Sequence, residues 1–218
     1  MELCVDLLNR ALEPFRRKSG LLLVEGRPET YPEGVAFQIA AACLTRKMMS
    51  KLAIVVVNDS TDFALSIFNA LGIDLGTLSS RGDALLESVG EISKVSQLLR
   101  GLPGGSLAVV DSTAGPPRDA DPESLSDLFS LARLAEKGKS SLRVLFLVNP
   151  DTWNATPLAF LEELADATIR LNAVAPPGAA DLSRYLEIVY TRGHLTPYTR
   201  IYYTVTRGGV EFTSMREV

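Results

Sequence analysis

The sequence holds few of the side chains from which metal sites and disulfide scaffolds are made. Its 218 residues include two cysteines, Cys4 and Cys43, and one histidine, His194. Two cysteines cannot form a disulfide scaffold or a zinc site unaided. A catalytic histidine would need partners that the sequence does not identify, so a turn or hydrogen-bonding role is favoured for His194. We therefore expect no metal.

The chain also lacks a basic excess and a long apolar run. Its formal net charge is −4, so no global positive field attracts nucleic acid or an anionic membrane. No apolar run approaches the roughly 20 residues that span a bilayer, and the amino terminus lacks the pattern of a signal peptide. A cytoplasmic protein without a membrane partner is the expectation. The length favours one domain, over residues 1–218.

Apolar runs alternate with helical patterns between residues 21 and 171. A continuous apolar run is typical of a strand buried on both faces, as in parallel sheets covered by helices. We predict such strands at 21–24, 52–57, 106–111, 142–148 and 167–171. The segments between them predict one helix that begins after residue 34 and four further helices, over 62–71, 83–99, 123–137 and 158–164.

The pattern changes after residue 182. Alternating apolar and polar residues at 185–190 and 200–206 precede the turn Arg207-Gly208-Gly209 and a short run at 210–212. This pattern predicts an antiparallel meander over 183–213, attached to the parallel sheet. The fold class is therefore α/β, with a mostly parallel sheet flanked by helices over 21–171. Residues 1–20 predict a short amphipathic helix or turn.

The segment 21–47 has the strand, loop and helix layout of a phosphate-binding P-loop, GxxxxGK(S/T). Gly26 is the first glycine, but Tyr31, Pro32 and Glu33 replace the Gly-Lys-Ser/Thr triplet. Pro32 has neither a positive charge nor a backbone N–H. Glu29 and Glu33 bring negative charge to the helix end that an anion would occupy. A degenerate P-loop and an ordinary connection with acidic capping both fit this segment alone.

Acidic residues end two of the predicted strands. Asp59 follows the second strand, at the sheet edge where ligands of open α/β sheets bind. Asp111 ends the strand 106–111, as the Mg²⁺-holding aspartate of a Walker B strand does. The alternative role for Asp111 is to cap the following turn.

Few features point to nucleic acid. Trp153, in the loop after the fourth strand, could stack on a base, although packing within its own domain is favoured. The loop 112–122 has tandem prolines, carries Arg118 and is expected to be mobile and exposed. We expect weak DNA binding that salt abolishes.

The order of these segments resembles the RecA superfamily, specifically its single-domain archaeal KaiC-like and RadA-paralogue branch. The first segment, LLLVEGRPETYPEG, resembles the branch's strand and P-loop, which is usually close to ILIEGPPGTGKT. VVVNDS resembles the family's second strand, which normally ends in an acidic pair. LAVVDS resembles its Walker B strand, and FLEELADATIRL resembles its ADxVIxL strand. The terminal meander resembles YLEIVYTRGHLTPYTRIYYTVTRGGVEF, with Arg192 kept and Tyr190 in place of the usual lysine. The resemblance covers nearly the whole chain and implies a RecA-like fold.

The resemblance also implies that the departures fall on the nucleotide site. Family members usually bind ATP between adjacent subunits, and the meander lysine and arginine reach the neighbour's phosphates. The loop lysine, the Mg²⁺ hydroxyl, one acidic residue of the pair and the meander lysine are all replaced here. We therefore expect no ATP hydrolysis and no bound cofactor. The vestigial site would consist of Gly26, Glu29, Thr30, Pro32, Glu33, Asp59, Asp111 and Arg192.

Two functions of different classes follow from the resemblance. The first is a pseudo-ATPase that acts as a scaffold or regulatory subunit, with itself or with an active paralogue, in recombination, repair or signalling. Trp153, Arg118 and Tyr198 are then candidate contacts to a partner protein or nucleic acid. The second is an ATPase or sensor that binds ATP through the altered loop, with Asp59, Asp111 and Glu33 around a metal. The absent lysine favours the first, because few arrangements hold a triphosphate without a cation.

Overall fold

A computed structural model describes the chain over six segments, residues 20–45, 49–134, 142–175, 182–191, 200–206 and 209–216. These segments form an α/β fold around one nine-stranded sheet. Its strands are β1 (Gly20–Glu25), β2 (Leu52–Val57), β3 (Ala84–Val89), β4 (Leu107–Ser112), β5 (Arg143–Val148), β6 (Ala167–Val174), β7 (Ser183–Thr191), β8 (Arg200–Thr206) and β9 (Gly209–Arg216). Its helices are α1 (Pro32–Thr45), α2 (Asp62–Ala70), α3 (Leu75–Ser80), α4 (Ile92–Arg100), α5 (Pro122–Leu134) and α6 (Ala155–Leu164).

The strand order is β3-β2-β4-β5-β1-β6-β7-β8-β9. Pairing is parallel from β3 to β6, and antiparallel from β6 to β9. The parallel part is where helices connect the strands, and the antiparallel part is where strands follow one another directly. The predicted mostly parallel sheet with a C-terminal antiparallel meander is thus confirmed.

Helices cover both faces of the parallel strands. Along β1, Leu22 and Val24 join one hydrophobic core with α1, α2 and α3, and Leu21 and Leu23 join another with α4, α5 and α6. Successive strand residues point to opposite faces, so a strand between two helical layers is apolar at nearly every position. This is the physical reason for the continuous apolar runs in the sequence.

The meander packs on the face that holds α1. Leu186, Ile201, Tyr203 and Val210 belong to the same core as that helix. The Val210 backbone N–H also donates to Oε1 of Gln38 in α1 at 2.6 Å. The antiparallel strands therefore share a core with the parallel part of the sheet.

The predicted helix at 83–99 is wrong in its first half. Ala84–Val89 form β3, which pairs in parallel with β2 at the edge of the sheet, and α4 begins only at Ile92. The alternation in this edge strand is irregular, and its pairing partner is about thirty residues earlier in the chain.

Other predicted bounds shift by a few residues. Helix α6 begins at Ala155 instead of 158, and β6 continues to Val174 instead of ending at 171. Helix α5 begins at Pro122 and is described to Leu134. The predicted amphipathic segment at 2–18, Arg192, His194 and Tyr198 lie outside the described residues. Within the described segments, no helix is long and apolar enough to cross a membrane.

The loop 112–122 is more buried than predicted. Ser112, Gly115 and Pro117 are buried, and the Arg118 backbone N–H donates to the Gly90 carbonyl at 3.0 Å. This bond ties the loop to the end of β3. The expectation of an exposed loop is therefore wrong for these three residues, whereas Arg118 is exposed as expected.

Candidate functional site

The loop between β1 and α1 folds onto itself. Pro28–Thr30 form a short 3-10 turn, in which the Thr30 backbone N–H donates to the Arg27 carbonyl at 2.9 Å. The Thr30 hydroxyl donates to the same carbonyl at 2.6 Å. A Cβ added to Gly26 would lie 2.7 Å from Thr30 Oγ1, so the turn packs tightly against this glycine. The chain here forms a compact turn.

Tyr31 stands where a P-loop has its second glycine. Its φ of 57° and ψ of 55° are in the left-handed region that glycine adopts most easily. Its ring lies directly against Gly34, because a Cβ on Gly34 would be 2.0 Å from Tyr31 Cε1. The ring also makes an edge contact with Phe63, with centroids 5.8 Å apart. An aromatic side chain therefore covers the first turn of α1, where an anion would meet backbone N–H groups.

The meander holds the same loop from the other side. The Tyr203 hydroxyl in β8 donates to the Thr30 carbonyl at 2.5 Å, and both residues are buried. Nε of Arg184 in β7 donates to the Glu29 carbonyl at 2.7 Å. Burial raises the pKa of Tyr203, which keeps the phenol protonated as a donor. Two loop carbonyls thus bind side chains from strands about 155 and 173 residues further along the chain.

Asp111 is a buried carboxylic acid at the end of β4. Its side chain accepts hydrogen bonds at Oδ1 from the Thr113 backbone N–H at 3.1 Å and from the Thr113 hydroxyl at 2.7 Å. Burial, assisted by the negative charges of Glu33 and Asp59, raises its pKa to about 6, although the Thr113 bonds oppose this shift. The bonds to Thr113 are those of the capping role that the sequence left open for Asp111.

The charges of Glu33 and Asp59 act on Asp111, but the three side chains do not form a ligand set. In the described part of the chain, no group of three or more His, Cys, Asp or Glu side chains is placed to hold a metal ion. All three residues lie in that part. The metal arrangement of the second interpretation therefore has no counterpart in this geometry.

The end of β2 is occupied by turn contacts. Asn58 has a left-handed φ of 60°, and its side-chain amide donates to the Pro116 carbonyl at 2.8 Å. The Asp59 carboxylate accepts the Ser60 backbone N–H at 2.7 Å, and the Asp59 carbonyl accepts the Ser88 hydroxyl at 2.6 Å. These contacts join β2, β3 and the loop after β4.

Trp153 packs inside the molecule. Its residue is only 6% exposed, and its indole N–H donates to the Ser112 carbonyl at 3.2 Å. Its ring meets Phe146 edge-on, with centroids 6.0 Å apart. The indole is thus not on the surface, which matches the packing interpretation and corrects its use as a base-stacking residue. Arg118 is exposed.

A charge cluster beside the loop, built around one buried carboxylate, was not predicted. Glu25, the last residue of β1, is buried, and its Oε2 accepts a hydrogen bond from Arg170 Nε in β6 at 2.8 Å. Arg170 also contacts Glu162 of α6 at 3.2 Å. The one sequence signal was the acidic residue that ends an otherwise apolar strand, just before Gly26.

A scan against protein-family models finds no match for this chain, and a search of curated proteins finds none either. The resemblance to the RecA superfamily therefore stays a prediction from the sequence.

Proposed function

We propose that this protein is a non-catalytic RecA-like subunit in which the phosphate loop has become a structural connection. The observation that carries the proposal is the position of Tyr31. This residue holds the backbone conformation expected of the motif's glycine, while its ring lies on Gly34 and Phe63. A phosphate would need the space next to the first turn of α1 that the ring covers.

The charges near the loop also oppose a triphosphate. Glu33 lies in the first turn of α1, and its negative charge acts on the buried Asp111, as the charge of Asp59 also does. Arg27 is a cation of this loop, but its guanidinium pairs with Asp151 at 2.9 Å. A polyphosphate would therefore meet net negative charge where a P-loop offers a lysine and Mg²⁺.

The remaining function is assembly with a protein partner, either a second copy or an active RecA-like paralogue in recombination, repair or signalling. Several apolar side chains of the C-terminal strands are exposed, among them Val174, Val189 and Val205. The Tyr185 and Tyr202 rings pack at a tilt with centroids 5.6 Å apart, and the Arg200 guanidinium lies over the Tyr185 ring. Aromatic and arginine side chains are enriched at protein interfaces. DNA contact is expected to be weak and salt-sensitive.

The test is isothermal titration of the purified protein with Mg-ATP. We expect no heat above dilution, because no lysine neutralises the phosphates and the Tyr31 ring blocks the first turn of α1. An active RecA-fold ATPase in the same buffer provides the positive control. A micromolar dissociation constant would instead support the ATP sensor that binds through an altered loop.

A second arm distinguishes a degenerate P-loop from an ordinary connection. The triple variant Tyr31→Gly, Pro32→Lys, Glu33→Thr rebuilds the GK(S/T) triplet on the existing backbone. If the loop derives from a P-loop, we expect this variant to acquire measurable Mg-ATP binding that the single variant Tyr31→Gly lacks. A folded triple variant without binding would favour the ordinary connection.

A further inference from the structure

A cavity of about 370 Å³ lies beside the loop after β1. Its polar lining comes from the loop, from α6 and from β6, and its volume is within the range of small-molecule sites. At about 30 Å³ for each water-sized group, it has room for about a dozen non-hydrogen atoms. The charged and amide residues of the lining are Glu25, Arg27, Glu29, Glu162, Arg170 and Asn172.

Glu25 is the most deeply buried charged residue of this lining. Its side chain is only 3% exposed, and Oε2 is paired with Arg170. Its second oxygen, Oε1, is buried and receives no hydrogen bond from a donor among the described residues when the carboxyl is ionised. The Glu162 carboxyl hydrogen-bonds to Glu25 only while one of the two is protonated. A buried carboxylate oxygen without a donor is costly and rare in folded proteins, and it marks a place where a donor would be stabilised.

The charge balance of the cavity selects the kind of donor. Three carboxylates line it, against two guanidinium groups. Arg170 is already shared between Glu25 and Glu162, and Arg27 is paired with Asp151 outside the lining. With both cations engaged, the cavity carries excess negative charge. An anion would be repelled, and a cation that donates hydrogen bonds would be attracted.

We infer that this cavity binds a small organic cation, through an ammonium or guanidinium group that donates to Oε1 of Glu25. The ligand class is a primary amine or a guanidine, either free or as the Lys or Arg side chain of a peptide. The inference is independent of the proposed function, because it requires neither the loss of ATP binding nor assembly.

The binding is expected to depend on pH. Burial, with the Glu162 carboxyl of α6 acting in the same direction, raises the pKa of Glu25 to about 7 against the opposing charge of Arg170 in β6. Glu187 of β7 acts on Glu25 only through Arg170. A cation needs the ionised carboxylate, so its affinity increases as the pH rises through 7, and binding at pH 6 releases a proton.

The experiment titrates the full chain with methylguanidinium and n-butylammonium at pH 6 and pH 8, by calorimetry. We expect an affinity about tenfold higher at pH 8, since a group with a pKa near 7 is about nine-tenths ionised at pH 8 and one-tenth at pH 6. Acetate and inorganic phosphate are expected not to bind. The peptide acetyl-Gly-Arg-Gly-amide forms the second arm. Tighter binding than methylguanidinium assigns the site to a protein side chain, and weaker binding assigns it to a free small cation.

Glu25→Gln is the decisive variant, and Glu87→Gln, on the exposed far edge of the sheet, is its matched control. We expect the first to lose at least tenfold in cation affinity at pH 8 and the second to bind like the wild type. If Glu25→Gln does not fold, proton release by the wild type at pH 6, measured in two buffers of different ionisation enthalpy, replaces it. Absence of cation binding at pH 8, unchanged affinity in folded Glu25→Gln, or preferential binding of the anions would each overturn the inference.

Discussion

Two buried carboxyl groups, Glu25 and Asp111, end the strands β1 and β4. Burial raises their pKa values, to about 7 for Glu25 and about 6 for Asp111. The native state therefore keeps protons that the unfolded chain has already released between about pH 4 and pH 7. Because the native state binds more protons in that window, the free energy of unfolding decreases as the pH rises through it.

Replacing the Asp111 carboxyl should stabilise the protein at high pH. Asp111→Asn keeps an oxygen that can accept the Thr113 bonds and removes the buried charge. We expect a gain of about 1–3 kcal/mol in the free energy of unfolding at pH 8, and a much smaller gain at pH 4, where the native carboxyl is already protonated. Urea unfolding followed by circular dichroism measures both values.

The control is Asp127→Asn, at an exposed position on α5. It should change the stability little at either pH. A stability loss in Asp111→Asn at pH 8 would contradict the assignment of Asp111 as a charge that is buried at a cost.

The loop between β1 and α1 is the element whose shape depends most on distant strands. Its turn closes locally through Thr30 and Arg27, but its carbonyls are held by Arg184 and Tyr203. Meander and loop thus stabilise each other. The buried Thr30 anchors the connection to the core, while residues 27–29 stay exposed, so the loop differs from an open ligand loop.

Tyr203→Phe tests this coupling. It removes the hydroxyl that donates to the buried Thr30 carbonyl and leaves the ring in place. We expect a loss of about 1–2 kcal/mol in the free energy of unfolding, because a buried carbonyl is left without its donor. Urea unfolding at pH 7 measures the loss.

Tyr202→Phe, in the neighbouring and less buried position, is the matched control. It should stay within about 0.5 kcal/mol of the wild type, as exposed substitutions usually do. Equal losses in the two variants would show that the Thr30 contact contributes nothing specific.

At the scale of the whole molecule, the sheet ends in two unlike edges. Strand β3 forms one edge. Strand β9 forms the other edge of the described sheet, next to β8 and then β7, and both of these strands carry exposed apolar residues. Exposed apolar and aromatic side chains at one end of a sheet are a common basis for association. The proposed scaffold function belongs to this scale.

We predict that the protein forms an oligomer or a complex with an active paralogue. Light scattering at micromolar concentration measures the homo-oligomer, and Val189→Lys should weaken it because a charge would enter the contact. Asn69→Lys, which places the same charge at an exposed position of α2, should leave the mass unchanged. A monomer whose co-expression leaves the paralogue's elution volume and ATPase rate unchanged would leave the scaffold function without support.

Most of the parallel sheet could be read from the chain, and one strand could not. The apolar runs form β1, β2, β4, β5 and β6, and helices cover both faces of these strands. The burial of each strand can therefore be predicted from its own residues. Strand β3 lies at the edge, where its half-exposed residues do not show that pattern. Its assignment depended on pairing with β2, which is a contact between distant residues.

The same division applies to the candidate site. Pro32 and Glu33 supply neither the cation nor the hydroxyl of a P-loop wherever the chain folds, so the absence of that chemistry here is a property of residue identity. The ring of Tyr31 on Gly34, the burial of Trp153 and the pairing of Glu25 with Arg170 are contacts that only packing creates. Arg170 and Glu25 are 145 residues apart, and no local pattern encodes their meeting. The raised pKa of Glu25 and the cavity beside it follow from burial, which exists only after the strands and helices have assembled.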